Sequence, residues 1–227
     1  MRRYVTCRSD TCGWRTSRSR SRGVMSGRCT GWPTTRAGTR PRRRAGTWST
    51  RVAWNWPGCL LADFDPAVRG IFAQPCRLAA RVGDRVRHHV PDYLLVMRSG
   101  TVRLVNVKPA DRLRDPKIAD ALAWPGELLR RHGWEYEIWS GADRALLENV
   151  RFLAAYRRPG VVPQAEVEQA LERVQDGEEL ALAERRLAGD RPPEEARPAL
   201  MVLLWSGRLT TDLSRPLSGE SVLRRCA

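Results

Sequence analysis

The amino-acid composition changes abruptly between residues 58 and 59, and this break decides which part of the chain can fold. Residues 1–58 contain no Leu, no Ile and no Phe, although they hold five of the nine Trp residues. With three Val as its only branched aliphatic side chains, this segment has neither the 3.6-residue period of an amphipathic helix nor the alternation of a strand. We therefore expect the hydrophobic core to come from residues 59–227, and residues 1–58 to form a disordered N-terminal arm.

The charge is divided at the same point. Residues 1–58 carry 14 Arg, no Lys and one acidic residue, Asp10, which gives a net charge of +13. Residues 59–227 carry 26 basic and 24 acidic side chains, which gives a net charge of +2. The basic character of the whole chain is therefore a property of its N-terminal segment, and net charge alone does not make residues 59–227 a nucleic-acid-binding domain.

Residues 1–58 have two interpretations. The first is a genuine arginine-rich arm that binds nucleic acid, although five Trp residues are unusual in a disordered arm. The second is translation in the wrong reading frame, which the genetic code allows us to examine. Reading the codons of residues 47–58 two nucleotides further on forces Glu, Leu and Ala near the end and permits V-V-Y-E-x-x-L-E-L-A-R-L. That peptide would be an amphipathic helix running directly into Leu60, so we favour the frameshift.

Residues 59–158 have the patterns of an α/β domain. Runs of β-branched and aromatic residues predict strands at 71–80 (continuing to about 82), 85–97, 101–107 and 134–139. Tight turns are predicted at Gly83-Asp84 and Ser99-Gly100, and Pro91 is predicted to lie at an edge or bulge. Helices are predicted from Asp115-Pro116 to about 132 and from 142 to about 157. The predicted order is β-β-β-α-β-α.

A linker with proline at both ends, residues 159–163, is followed by a second predicted domain at residues 164–227. This domain is expected to be small and mostly helical, with helices at 164–175, 177–187 and 193–204 and a short wing-like strand at 209–213. The chain has no apolar run of 18 residues and no secretory signal, so we expect no membrane span and a cytoplasmic location. The six cysteines form no Cys-x-x-Cys pair and are expected to be unpaired.

The predicted strand pair 85–107 carries a pattern that suggests metal-dependent chemistry. Pro91-Asp92 is followed, after thirteen residues, by Asn106-x-Lys108. Residues two apart on a strand share one face of the sheet. Oxygen ligands suit Mg²⁺, and a metal-activated water beside an ammonium group is suited to phosphodiester hydrolysis. The chain has two Lys and 38 Arg, so arginine is its usual basic residue. A Lys at position 108 therefore indicates that a compact ammonium group is needed there. The alternative is an ordinary surface pair on a hairpin.

The stretch from Leu61 to about Pro159 resembles the N-terminal domain of TnsA-like endonuclease subunits of heteromeric transposases. The motifs that carry this resemblance have the order and spacing of that family. They are Leu61-Ala62-Asp63-Phe64-Asp65-Pro66, Gln74-Pro75, His89-Val90-Pro91-Asp92-Tyr93, Val105-Asn106-Val107-Lys108-Pro109, Gly133-Trp134-Glu135 and the segment 149–156. The resemblance implies a restriction-endonuclease-like mixed sheet flanked by helices, of the PD-(D/E)-x-K type, followed by the helical C-terminal domain.

The resemblance also implies an activity and partners. Such a subunit cuts one strand at transposon DNA ends with Mg²⁺ (or Mn²⁺), together with a DDE-type transposase subunit and an AAA+ ATPase regulator. Asp92 and Lys108 would be catalytic, and Asp92 and Asn106 would bind the metal. Candidate DNA contacts are Gln74, His89, Arg112 and Arg114.

Two departures from the family pattern concern the acidic residues. The first acid has a counterpart only in the other reading frame, and Asn106 is an amide where an Asp or Glu is expected. We therefore expect weak or no cleavage. The alternative is a non-catalytic DNA-binding or assembly module of a transposition complex.

Overall fold

A computed structural model of the protein describes residues 57–226 and the backbone of residues 4–7. The contacts divide the described residues into two units. We call residues 4–7 and 67–140 the sheet unit, and residues 57–66 and 141–226 the helical unit. The helices, in chain order, are α1 (Pro57–Phe64), α2 (Pro116–Arg130), α3 (Arg144–Leu153), α4 (Gln164–Arg173), α5 (Leu180–Ala188) and α6 (Arg197–Trp205).

The strands form three sheets. In chain order they are β1 (Tyr4–Cys7), β2 (Val68–Ala73), β3 (Cys76–Val82), β4 (Arg85–His89), β5 (Tyr93–Met97), β6 (Val102–Val107), β7 (Glu135–Trp139), β8 (Leu209–Thr210) and β9 (Arg224–Arg225). The largest sheet has the order β2-β5-β6-β7, the second has the order β1-β3-β4, and β8 pairs with β9. The fold is therefore mixed α/β, as predicted.

The four-stranded sheet is mixed because of its last strand. β2, β5 and β6 are antiparallel neighbours, whereas β7 runs parallel to β6. A parallel neighbour needs a crossover connection, and α2 provides it. This helix begins with Pro116 at its first position, and the Asp115 carboxylate accepts a hydrogen bond from the Lys117 backbone N–H at 2.9 Å. Gly133, at φ +73°, follows the helix.

The predicted strands 71–80 and 85–97 are each interrupted, and this corrects the prediction. The breaks fall at Gln74-Pro75 and at residues 90–92. Between the pairs Ala73↔Tyr93 and Leu78↔His89, the segment from β2 to β3 has four residues (74–77) and the segment from β4 to β5 has three (90–92). The extra residue forms a bulge in which Gln74, at φ +43°, donates its backbone N–H to the Asp92 carbonyl at 2.8 Å.

The core of the sheet unit lies between α2 and one face of the strands. Leu78, Leu94 and Leu104 pack there against Trp124, Leu128 and Leu129 of α2, and these six side chains are buried. Phe72, Val82 and Tyr136 pack at its border. On the opposite face of the hairpin, Tyr93, Leu95 and Val105 are also buried, so both faces of β5 and β6 are covered.

The helical unit has its own core. Leu200, Leu203 and Leu204 of α6 pack with side chains from α3, α4 and α5, and α1 packs along α3. This grouping differs from the predicted domains 59–158 and 164–227, because α1 and α3 join the C-terminal helices. α3 ends at Leu153 and continues as a 3-10 turn, Ala154–Tyr156. A single bridge between Glu179 and Val222 accompanies the short β8–β9 ribbon.

Parts of the segment predicted to be disordered do have secondary structure. β1 pairs antiparallel with β3, and α1 begins at Pro57. Residues 8–56, where the frameshift interpretation mainly falls, lie outside the described residues. Within the described part of the chain, no helix is long and apolar enough to span a membrane. No disulfide joins any two of the described cysteines.

Candidate functional site

Asp92, Asn106 and Lys108 lie at the same end of two neighbouring strands. Asp92 immediately precedes β5, and its Oδ2 accepts a hydrogen bond from the Val107 backbone N–H at 2.8 Å. Asn106 is in β6, and Lys108 follows that strand. The Lys108 backbone N–H donates to the Trp139 carbonyl at 3.0 Å, which extends the pairing of β6 with β7.

The three side chains belong to one face of this hairpin. The register pairs Tyr93 with Val105, so Asp92 stands next to Asn106 across the hairpin, and opposed residues face the same side. Lys108, two residues beyond Asn106, shares that face. His89 joins these residues through its Nε2, which lies 2.9 Å from Asn106 Oδ1. The structure therefore brings together Asp92, Asn106, Lys108 and His89.

Asn106 is buried, with 1% of its surface exposed, and both ends of its amide are engaged. Its Nδ2 donates to the Tyr136 hydroxyl at 2.6 Å. Its Oδ1 lies 2.9 Å from His89 Nε2, which donates when the imidazole carries its proton on that nitrogen. The His89 ring meets Trp124 edge-on, with centroids 6.2 Å apart. Asn106 is thus the centre of a satisfied polar network, which we call the Asn106 network: His89, Asn106 and Tyr136.

Burial keeps both partners of Asn106 neutral. Desolvation lowers the pKa of His89, and the ammonium of Lys108 acts in the same direction, while the Asn106 hydrogen bond and Asp92 oppose it. Desolvation also raises the pKa of Tyr136 to about 12, against the effect of its bond from Asn106. At neutral pH the network consists of an imidazole, an amide and a phenol, and it carries no net charge.

This donor set fits Mg²⁺ poorly. Mg²⁺ requires near-octahedral coordination by oxygens and usually one or two carboxylates. Asp92 supplies the one carboxylate in contact with the hairpin end, and the Asn106 oxygen already faces His89. Among the described residues, no group of three or more His, Cys, Asp or Glu side chains is placed to hold a metal ion. A divalent cation here would depend on Asp92 and on an amide oxygen that first leaves His89.

The remaining candidate residues have different surroundings. Gln74 is exposed on the bulge, where a non-glycine residue at positive φ is strained. Arg112 and Arg114 are exposed in the 3-10 turn Arg112–Arg114, soon after β6. His89 faces the buried network, whereas its neighbour His88 lies on the other face of β4 and bonds to Arg77. His89 is therefore a structural partner of Asn106 in this arrangement.

Tyr136 is the site residue that the sequence analysis missed. It lies opposite Leu104 in the parallel β6–β7 pair, two residues from Ile138, which is the partner of Asn106. The alternation of residues 134–139 indicated a strand, but only the register of that strand against β6 places the hydroxyl beside Asn106.

Two comparisons with known proteins gave no match. No protein-family model matches the chain. No curated protein is similar to it at a significant level.

Proposed function

We propose that the sheet unit is a restriction-endonuclease-like module of a TnsA-like transposase subunit that acts on transposon DNA ends. The observation that carries this proposal is the Asp92 carboxylate on the Val107 backbone N–H, next to Asn106 in the hairpin register, with Lys108 two residues further along the chain. The mixed sheet supports it, because β7 runs parallel to β6 after a helical crossover, and the resemblance implies a mixed sheet flanked by helices.

We further propose that this chain cleaves DNA weakly or not at all. Asp92 would be the main ligand of Mg²⁺ or Mn²⁺, and Asn106 adds no charge to the site. Lys108 would stabilise charge that develops on a phosphate oxygen. Its partners would be a DDE-type transposase subunit, which cuts the other strand, and an AAA+ ATPase regulator. Exposed Gln74, Arg112 and Arg114 would contact the DNA.

The second candidate is a non-catalytic DNA-binding or assembly module. The Asn106 network favours it, because both ends of the buried amide bond to neutral protein groups. A buried polar group that is fully satisfied stabilises one strand arrangement without any ligand. In this case the fold is retained and the chemistry is lost.

Supercoiled-plasmid nicking with Mg²⁺ or Mn²⁺ distinguishes the two. We expect little or no nicking by the full-length chain. The chain offers a matched control pair, because Lys108 and Lys117 are its two lysines and Lys117 is exposed on α2. Strong nicking that Lys108→Ala abolishes and Lys117→Ala preserves would show an active enzyme and contradict impairment. Duplex binding without nicking would favour the non-catalytic module.

A further inference from the structure

The β3–β4 hairpin has an exposed basic face on the side opposite the core. Along β3, Cys76, Leu78 and Ala80 are buried, whereas Arg77 and Arg81 are exposed. The pairs Ala79↔His88 and Arg81↔Val86 place His88 and Val86 on the same side as these arginines. We call Arg77, Arg81, Val86 and His88 the outer hairpin face.

No acidic side chain among the described residues pairs with the arginines of the outer hairpin face. Arg77 Nε donates to His88 Nδ1 at 3.3 Å, which leaves the guanidinium charge in place. Arg81 forms no ion pair with any residue in the described part of the chain. By contrast, Arg87 on the inner side pairs with Asp120 at 2.7 Å, and Arg103 of β6 pairs with Glu135 at 2.7 Å.

The sheet unit as a whole is also more positively charged than the helical unit. Residues 67–140 carry 13 basic and 8 acidic side chains, whereas residues 57–66 and 141–226 carry 13 basic and 16 acidic ones. The excess of positive charge within the described units therefore belongs to the sheet unit. A protein surface with unpaired arginines and no acidic residue is complementary to a polyanion.

We propose that the outer hairpin face binds duplex DNA by lying across a groove. β3 and β4 belong to the three-stranded sheet β1-β3-β4, so the face covers the major groove, which is about 12 Å wide, rather than entering it. Arg77 and Arg81 are four residues apart on one strand, which corresponds to about 13 Å, so the two guanidiniums can reach phosphates on both sides of the groove. Val86, with 60% of its surface exposed, lies opposite Arg81 and can contact base edges or sugars. The choice of DNA as ligand rests on the proposed function, but the surface is separate from the Asp92–Lys108 site.

The first test is the salt dependence of binding by the full-length chain. Fluorescence anisotropy with a labelled duplex, in EDTA and between about 50 and 200 mM salt, gives the slope of log K against log salt. We expect Arg77→Gln/Arg81→Gln to make this slope shallower by about 1.8, since each lost phosphate contact contributes about 0.9. The matched control is Arg173→Gln/Arg185→Gln, which removes two exposed arginines of the helical unit. Because residues 1–58 carry the same net charge of +13 in both double variants, the difference between the two variants is the measured quantity.

Equal slopes for the two double variants would overturn the proposal. The second test does not depend on removing charge. A photoreactive p-benzoylphenylalanine at position 86 should cross-link to the labelled duplex, whereas the same group at position 152, which is also exposed, should not. Absence of a cross-link from position 86, or one as strong from position 152, would contradict the proposal.

An acidic protein is the competing ligand, and the same samples test for it. If poly-glutamate displaces the duplex at equal charge and cross-links to position 86, the outer hairpin face is a protein-binding surface and the DNA proposal is wrong. These measurements in EDTA are independent of nicking. Equal slopes refute only the hairpin proposal, whether or not the chain nicks DNA. Strong nicking that Lys108→Ala abolishes contradicts only the proposed impairment, whatever the slopes are.

Discussion

Replacing Asn106 by Asp tests whether this end of the hairpin can hold a divalent cation. The substitution keeps the shape of the side chain and converts a neutral amide, 1% exposed, into a carboxylate beside Asp92. The new carboxylate can accept hydrogen bonds from His89 Nε2, at 2.9 Å, and from the Tyr136 hydroxyl, at 2.6 Å. The polar network therefore survives the change, and the added quantity is one buried negative charge.

The expected magnitude has two parts with opposite signs. A buried charge without a charged partner costs about 3–5 kcal/mol of folding free energy. A hydrogen bond to that charge offsets about 1.5–3 kcal/mol of the cost. Without metal, we therefore expect Asn106→Asp to lower the free energy of unfolding by about 2 kcal/mol. A cation that binds only the folded state adds about 2.7 kcal/mol when its concentration is 100 times its Kd. That gain raises Tm by roughly 5–10 °C in a chain of this size.

Thermal melting in EDTA, Mg²⁺ and Mn²⁺ measures both parts. We expect the Asn106→Asp variant to melt below the parent in EDTA and to recover with Mn²⁺, while the parent and Asn106→Ala change little. Asp92→Asn combined with Asn106→Asp should abolish the recovery, because one carboxylate remains. The reasoning is refuted if Mn²⁺ leaves the variant unchanged, or if the recovery persists after the Asp92 substitution.

Two further predictions concern hydrogen-bonded side chains in each unit. Burial lowers the pKa of His89 below its unfolded value of 6.5, so below this pH the unfolded chain binds more protons than the folded chain. The free energy of unfolding should therefore fall as pH decreases through 6.5, by at most about 1.4 kcal/mol per pH unit. Urea unfolding from pH 7 to 5 should show this loss in the parent and in the His88→Gln control but less of it in His89→Gln; equal pH profiles would contradict it. Asn149 donates to the Leu213 and Arg215 carbonyls and accepts from the Leu217 N–H. Asn149→Ala should therefore lower the free energy of unfolding in urea by about 2–4 kcal/mol. A loss under about 0.5 kcal/mol would contradict the structural role of Asn149.

Local signals in the sequence predicted the elements that depend on neighbouring residues. The Asp115 cap with Pro116, the turn at Gly83-Asp84 and the helix–glycine boundary at Gly133 are all present. The strand breaks were not predicted in full, because Pro75 and Pro91 show that a ladder is interrupted but not how the two strands realign. That realignment depends on the partner strand, and the outcome is the bulge at Gln74.

Amphipathic helices present a similar difficulty. The sequence predicted a helix from 142 to about 157, and Val150 and Leu153 on one side of α3 are buried, but an apolar stripe does not specify its partner. The resemblance grouped residues 61–159 in one domain, whereas α1 and α3 pack in the core of the helical unit. Which core a helix joins depends on long-range complementarity that no single window of sequence contains.

The two functional proposals make different demands on position 106. Spacing alone predicted that residues 106 and 108 share a face, and the hairpin register adds Asp92 to that face. Spacing could not predict that Asn106 is buried between a neutral imidazole and a neutral phenol. If the site bound a cation in the folded chain, an amide bonded at both ends would oppose it, because one of its bonds must break first. If the module only binds DNA or assembles with partners, the same amide is the more stable choice, since a carboxylate there would repel Asp92. The change in Tm that Mn²⁺ produces in the Asn106→Asp variant therefore tests whether the hairpin retains a metal site.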